Sequence, residues 1–296
     1  MSVPDAFEYG AELPNRAFDE EAATLLGFDT RYSRVEKQLR LLTDAETLRP
    51  WASAKYKGKI PRIFALIGGQ YPLFVLEGDV GTGKTAFAKC AASRICKALN
   101  REGQFFALST RVRGSGRVGE ASTRINEAFV YITSQLGRNR LVFLLIDEAD
   151  SLLTSRSDEH NHLEDRVAVN TIIQKVDDLR QHGGRLVVLL ATNRIDTLDP
   201  AILRRIALRE TFERPNDADR IALLTHDLAG LGLTDAVIRA AAKQTGSHNG
   251  SPGYTYSDFR TRLLPRIVAN AYPDHAISAA DVAEAISSIK PSPAIV

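Results

Sequence analysis

The 296 residues contain no apolar run of the roughly 20 residues a helix needs to cross a bilayer, and no segment reads as a signal peptide. Cysteine is nearly absent: Cys90 and Cys96 stand six residues apart, in neither a metal-binding nor a redox spacing. No sign of charge dominates, since 38 Lys and Arg against 36 Asp and Glu leave a formal charge of +2. These absences argue against a membrane span, a disulfide-stapled secreted scaffold and a general nucleic-acid surface. They point to a soluble globular protein of the reducing cytoplasm, long enough for one large domain and a small one.

What the chain does carry is led by Gly78-Asp-Val-Gly-Thr-Gly-Lys-Thr85, a fit to the phosphate-binding pattern G-x-x-x-x-G-K-[ST]. It lies between the strand-like Phe74, Val75 and Leu76 and a helical pattern over residues 86–99. A turn that aims backbone N–H groups at a phosphate needs glycine at Gly81 and Gly83, where a Cβ would clash or forbid the dihedrals. The following helix N-terminus adds a partial positive charge. Gly78, Val80, Gly81, Thr82 and Gly83 are therefore candidates to cradle the phosphates of ATP, with Lys84 reaching the β- and γ-phosphates and the Thr85 hydroxyl coordinating Mg²⁺. A glycine-rich strand-to-helix turn is the plainer alternative.

A second match favours the nucleotide reading. Leu141-Val-Phe-Leu-Leu-Ile146 is a run suited to a strand buried on both faces, and it ends in Asp147-Glu148. A carboxylate at the end of a central strand lies where open α/β sheets bind ligands. Asp147 is the expected Mg²⁺ partner and Glu148 the base that orients the attacking water. A helix cap alone would explain only one of the two acids.

Residues 1–22 are acidic, carry Pro4 and Pro14 and lack sustained periodicity, so they read as an N-terminal arm. Residues 32–43 look like an amphipathic helix. Strands over 73–76, 104–109, 141–146 and 185–191 then alternate with helical patterns, which implies an α/β domain with a parallel sheet covered by helices on both faces. After Pro215 the strands stop, and 217–229, 234–245, 257–272 and 278–288 read as helices, the last opened by the capping box Ser278-x-x-Asp281. The expected division is an arm at 1–22, a large α/β domain at 23–214 and a small all-helical domain at 215–296.

Ala191-Thr192-Asn193 closes the strand after Glu148, and Leu198-Asp-Pro-Ala-Ile-Leu-Arg-Arg205 sets Arg204 and Arg205 after a helical turn. In this order and spacing the motifs resemble those of the AAA+ ATPases over residues 25–292. The resemblance implies a P-loop AAA+ module with a helical lid. Gly78–Thr85 is then the Walker A loop, Asp147 and Glu148 end Walker B, Asn193 is sensor 1, and Arg204 and Arg205 are arginine fingers toward a neighbouring subunit. Gly253-Tyr-Thr-Tyr-Ser-Asp258 resembles the sensor 2 region, with Arg260 or Arg262 the residue that touches nucleotide. Val118-Gly-Glu120 resembles the first pore loop. It also implies a homo-oligomer, usually a hexameric ring, whose pore loops grip a polypeptide.

Residues 257–272, with arginines before Leu264-Pro265 and a downstream Ala-Tyr pair, are similar to the same helix of the pachytene-checkpoint, or Trip-thirteen, ATPases. A proline inside a helix costs about 3 kcal/mol, so Pro265 is not casual. That family remodels HORMA-domain proteins, and its small bacterial members accompany HORMA proteins and nucleotidyltransferases in anti-phage, CBASS-type signalling. Two features depart from the pattern. The pore-loop position that often carries an aromatic is Arg117, which suits an acidic polypeptide or nucleic acid, and the adjacent arginines look more like the severing and membrane-extracting AAA enzymes. A different protein-remodelling AAA ATPase and a nucleic-acid loader are therefore the alternative functions, although nucleic acid and membrane are not the expected partners. His160 and His162 lack further ligands for a metal.

Overall fold

Apolar runs without polar alternation can only sit in the middle of a sheet covered on both faces, and four such runs build the centre of this protein. The computed structural model describes residues 4–113, 119–155, 163–248 and 250–294. Contacts divide the chain into two units, Met1–Glu77 with Thr85–Thr211, and Gly78–Lys84 with Phe212–Val296.

In the first unit the strands are β1 (Phe7–Leu13), β2 (Leu73–Gly78), β3 (Glu102–Leu108), β4 (Arg140–Ile146), β5 (Leu186–Thr192) and β6 (Leu208–Phe212). They form one sheet in the order β1-β3-β4-β5-β2-β6. The β3, β4, β5 and β2 pairings are parallel, as expected, with Phe143 opposite Phe105 and Val187, and Leu189 opposite Phe74.

The helices of this unit are α1 (Arg16–Thr24), α2 (Phe28–Thr43), α3 (Ala45–Lys55), α4 (Arg62–Ile67), α5 (Lys84–Leu99), α6 (Glu120–Ser134), α7 (Ala149–Leu152), α8 (Leu163–Asp178) and α9 (Pro200–Leu203). Side chains alternate between the two faces of a strand. Val142, Leu144 and Ile146 therefore pack with Ile125 and Phe129 of α6 and Val169 and Ile172 of α8. Phe105 faces the other way and meets Phe18 of α1 edge-on, ring centroids 6.0 Å apart, while Phe28 of α2 tilts against Phe87 of α5 at 5.4 Å.

The N-terminal segment corrects the expectation of an arm. β1 pairs antiparallel with β3, from Phe7 opposite Leu108 to Leu13 opposite Gly103, so the sheet is not wholly parallel. Only the two ends of β1 are buried, which is why neither a period of two nor a continuous apolar run marks it. Its acidic neighbours are anchors rather than solvent contacts: Glu21 and Asp19 pair with Lys89 and Lys97 of α5 at 2.7 and 3.3 Å. The edge strand β6 was likewise unmarked, its inward positions being only Leu208 and Phe212.

In the second unit α10 (Asp217–Asp227), α11 (Asp235–Gln244), α12 (Leu264–Ala271) and α13 (Ala279–Ser288) pack around the buried Leu224, Phe259, Leu263, Ile267 and Ala285. Ser278 and Asp281 form the expected capping box at the start of α13. A π-helical stretch, Asp258–Leu263, runs directly into α12, and Pro265 is the second residue of that helix. The hydrogen-bond register changes there, so the donor that proline lacks falls where the ladder is already shifting.

If the N-terminal strand belongs to the core, Phe7→Ala destabilises the protein by about 3 kcal/mol, because Phe7 is 6% exposed and its ring lies 5.2 Å from Phe106 and 5.6 Å from Tyr131. Urea unfolding followed by far-UV circular dichroism reads this loss, and an unchanged midpoint would mean that the strand is dispensable.

Candidate active site

In the first unit, β4 delivers Asp147 and Glu148 to the C-terminal end of the parallel strands. Thr85 Oγ1 donates to Asp147 Oδ2 at 2.7 Å, so the last residue of the Walker A pattern and the first acid of Walker B meet directly. Asp147 Oδ1 accepts the backbone N–H of Glu148 at 2.9 Å. Glu148 is exposed and adopts φ 48°, ψ 45° as the residue before α7. That left-handed backbone costs a non-glycine residue about 1 kcal/mol or more and persists where surrounding structure enforces it, often at functional sites. Asp150 holds the neighbouring strand end: its Oδ1 accepts from Thr192 Oγ1 at 2.8 Å and from the Asn193 N–H at 3.2 Å. Asn193, half-buried, is thereby fixed at the end of β5 beside the acidic turn.

The two finger candidates differ. Asp199 caps α9 by accepting from the Ala201 N–H at 2.8 Å, and Pro200 occupies the first turn. Arg205 then donates to both Asp177 oxygens at 2.6 and 2.9 Å and to the Ala201 carbonyl at 2.7 Å, with its guanidinium 5.5 Å from the Tyr71 ring centre. The Arg205 hydrogen bond holds the Asp177 carboxyl below the usual carboxylate range. Arg204 is exposed and makes no ion pair among the described residues.

In the second unit, Gly81 has φ +71°, and a Cβ there would stand 2.8 Å from both Ser257 Cβ and Thr255 Oγ1. Gly83 has open space but φ +97°, so its requirement is conformational alone. Lys84 is buried and donates through Nζ to the Gly78 and Asp79 carbonyls at 2.9 and 2.8 Å. Thr82 Oγ1 also donates to the Asp79 carbonyl, at 2.7 Å. A lysine resting on loop carbonyls can exchange them for phosphate oxygens without unfolding the turn. The exposed Val80 donates its N–H to Asp79 Oδ1 at 2.8 Å.

The predicted sensor arginines are engaged elsewhere in this unit. Arg260 pairs with Asp227 at 3.2 Å and Arg262 with Asp258 at 2.9 Å. The residues of that region that reach the turn are Thr255 and Ser257, whose N–H donates to the Gly81 carbonyl at 3.1 Å. Sequence reasoning quoted the stretches that hold Thr255, Ser257 and Asp79 but gave these residues no role, because they stand at positions the patterns leave open; Asp150 and Arg214 lie outside both patterns. Arg117 and Val118 of the pore loop, and His160 and His162, lie outside the described residues. Among the described residues no group of His, Cys, Asp and Glu could hold a metal by itself. Both cysteines are buried, which pushes their thiols up to about 12; they are packing residues rather than nucleophiles.

Residues 74–214 match the ATPase family associated with various cellular activities, AAA. The chain is 46% identical over 294 residues to CD-NTase-associated protein 6 of Escherichia coli (strain KTE188), covering 99% of this chain and 98% of that one. The chain belongs to the AAA family. As an AAA protein it also superposes on a chain from the structure of the E. coli MS115-1 HORMA:CdnC:Trip13 complex, with a TM-score of 0.91, 36% identity and coverage of 100% of this chain and 99% of that one. The Rhizobiales Trip13 structure matches with a TM-score of 0.71 and 31% identity over 97% of this chain and 99% of that one. The phosphate-binding pattern Gly78–Thr85 and the acids Asp147 and Glu148 all fall inside the matched residues 74–214. Taken unit by unit, the donor types suit the group: in the second a buried lysine and loop amides are what a triphosphate asks for, and in the first a hydroxyl bonded to a carboxylate is what Mg²⁺ asks for.

The two arginines should separate on mutation. Arg205→Ala lowers stability by roughly 1–2 kcal/mol through its lost bidentate pair, whereas Arg204→Ala leaves the thermal midpoint within a degree. Differential scanning fluorimetry of both variants checks this, and equal shifts would erase the distinction.

Proposed function

We propose that this AAA protein is an ATP-hydrolysing motor that remodels a HORMA-domain protein in CBASS-type anti-phage signalling. One observation carries the catalytic half: the Thr85 hydroxyl and the Asp147 carboxylate are already joined at 2.7 Å. The partner is suggested by the near-complete superposition on the chain from the HORMA:CdnC:Trip13 complex.

Lys84 and the loop amides of Val80, Gly81, Thr82 and Gly83 bind the β- and γ-phosphates. Thr85 and Asp147 would hold Mg²⁺, which when bound neutralises charge on the phosphate oxygens. Glu148 takes the proton of the attacking water, and the polar side chain of Asn193 orients that water or the γ-phosphate. Arg204 is the better finger for a neighbouring copy in a hexamer, since Arg205 already has its carboxylate. Of the sensor 2 pair, Arg262 is the more exposed, 44% against 31% for the side chains, and exchanges Asp258 for phosphate more readily than Arg260 leaves Asp227. The helical residues 215–296 act as the lid, and Arg117 and Val118 form the pore loop that grips an acidic segment of the partner. The setting is the cytoplasm; no helix among the described residues is long and apolar enough to cross a membrane.

Glu148→Gln is expected to bind ATP and to lose about 10²–10⁴-fold in turnover, the usual worth of a general base, and with ATP to retain the cognate HORMA protein on a size-exclusion column. Wild-type enzyme is expected to convert that protein from its closed to its open form. A normal ATPase rate in Glu148→Gln would contradict the catalytic assignment; a HORMA protein that stays closed under turnover would contradict the substrate alone.

Mixing provides a separate check on the finger. Arg204→Ala and Lys84→Ala proteins, each inactive, are expected to regain part of the ATPase rate when co-assembled, because a hybrid interface pairs an intact Walker A with an intact finger. No recovery at any ratio, with co-assembly demonstrated, would place Arg204 outside a shared site.

A further inference from the structure

Asp79 is an acid inside a loop whose task is to hold anions. Within the turn Gly78–Lys84 the charge of Lys84 is cancelled by that of Asp79, so the loop's side chains are neutral overall unless another cation intervenes. The structure supplies one. Arg214 Nε donates to Asp79 Oδ2 at 2.7 Å, with the two side chains only 14% and 17% exposed. Asp79 Oδ1 meanwhile accepts the Val80 N–H, so the carboxylate spans one of the loop's own amides and the arginine.

The rest of the guanidinium is engaged as well. Nη1 donates to the carbonyls of Gly253 at 2.5 Å and Ser292 at 2.9 Å, and Nη2 to that of Pro293 at 3.0 Å. Ser292 is in turn fixed by the buried Asp258, which accepts from its Oγ at 2.7 Å and from its N–H at 3.0 Å. One side chain thus ties the phosphate loop, the segment before the π-helical stretch and the C-terminal strap into a single polar network, all within the second unit. A structural staple could use any acid on the surface; this one uses the acid that would otherwise repel phosphate.

We propose that Arg214 is a positioning residue for the nucleotide: it neutralises Asp79, holds the Walker A turn through it, and so sets nucleotide affinity from the C-terminal strap. This rests on the ATP-binding reading above. Without Arg214, the Asp79 carboxylate loses its arginine while it still holds a loop amide, and its charge opposes a triphosphate in a weakly screened site. The effect falls on binding and not on the chemical step, because Arg214 reaches the phosphate loop only through Asp79.

The test is a mutant cycle of Arg214→Met, Asp79→Asn and the double variant, read by titration with a fluorescent ATP analogue and by steady-state ATPase kinetics. Arg214→Met is expected to raise Kd and KM about tenfold or more, as truncating one partner of a buried charge pair does, with kcat within about threefold of wild type. Asp79→Asn in the same background is expected to restore Kd to within about threefold, since it removes the charge that Arg214 neutralises. A merely structural staple gives no such rescue. Wild-type affinity in Arg214→Met, or a double variant weaker than the single one, overturns the proposal. Should the methionine variant not fold, Arg214→Gln is read in the same cycle with the same two outcomes. A wild-type protein that fails to bind ATP would overturn the nucleotide reading itself, and so is distinct from a wild type that binds while Arg214→Met is unaffected.

Discussion

The hydrogen bond from Thr85 to Asp147 is the constraint around which the catalytic end of the sheet is arranged. The strand that leads into the phosphate turn and the strand that carries the acids are not neighbours; β5 lies between them. For a hydroxyl at the start of α5 to reach a carboxylate after β4 at 2.7 Å, three parallel strands must end in register. Asp150 secures the middle one by holding Thr192 and Asn193. The strained backbone of Glu148 follows from this arrangement, since the chain must leave β4 and turn at once into α7 while Asp147 keeps both of its bonds. Misplacement by an ångström in such a cluster costs far more in rate than in stability, which is why its groups are tied to rigid strand ends rather than to loops.

Charge is handled differently in the two units. In the first, Arg205 is engaged by Asp177 and Tyr71, whereas its neighbour Arg204 is exposed and makes no ion pair among the described residues. Adjacent arginines therefore differ in their surroundings: Arg205 holds the end of the α9 segment to α8, while Arg204 is exposed. In the second, Arg214, Arg260 and Arg262 each meet a carboxylate of the same unit. Only the Arg214 pair includes a residue of the phosphate turn.

The phosphate-binding pattern and the central strands are more legible in the sequence than the edges of the fold. Asp147, Glu148, Lys84 and Thr85 stand out because the pattern of a phosphate site asks for residue types at fixed spacing, and β4 and β5 are marked because burial on both faces demands unbroken apolar runs. β1 and β6 escaped because an edge strand buries so few positions that it leaves no periodicity. Arg214 escaped for another reason: its partners Asp79, Gly253, Ser292 and Pro293 are far apart in the chain, and no local pattern encodes a contact over 135 residues. Pro265 signalled a special helix but not its form, since propensity records the penalty of proline and not the π-helical stretch that accommodates it.

The most direct test of this account is a double-mutant cycle on Thr85→Ala and Asp147→Asn, measured as kcat/KM for ATP across a Mg²⁺ titration. If the two side chains act as one unit, the double variant is no slower than the more damaged single variant, and all three need more Mg²⁺ for half-maximal rate. Losses that multiply, or a Mg²⁺ requirement unchanged from wild type, would contradict it.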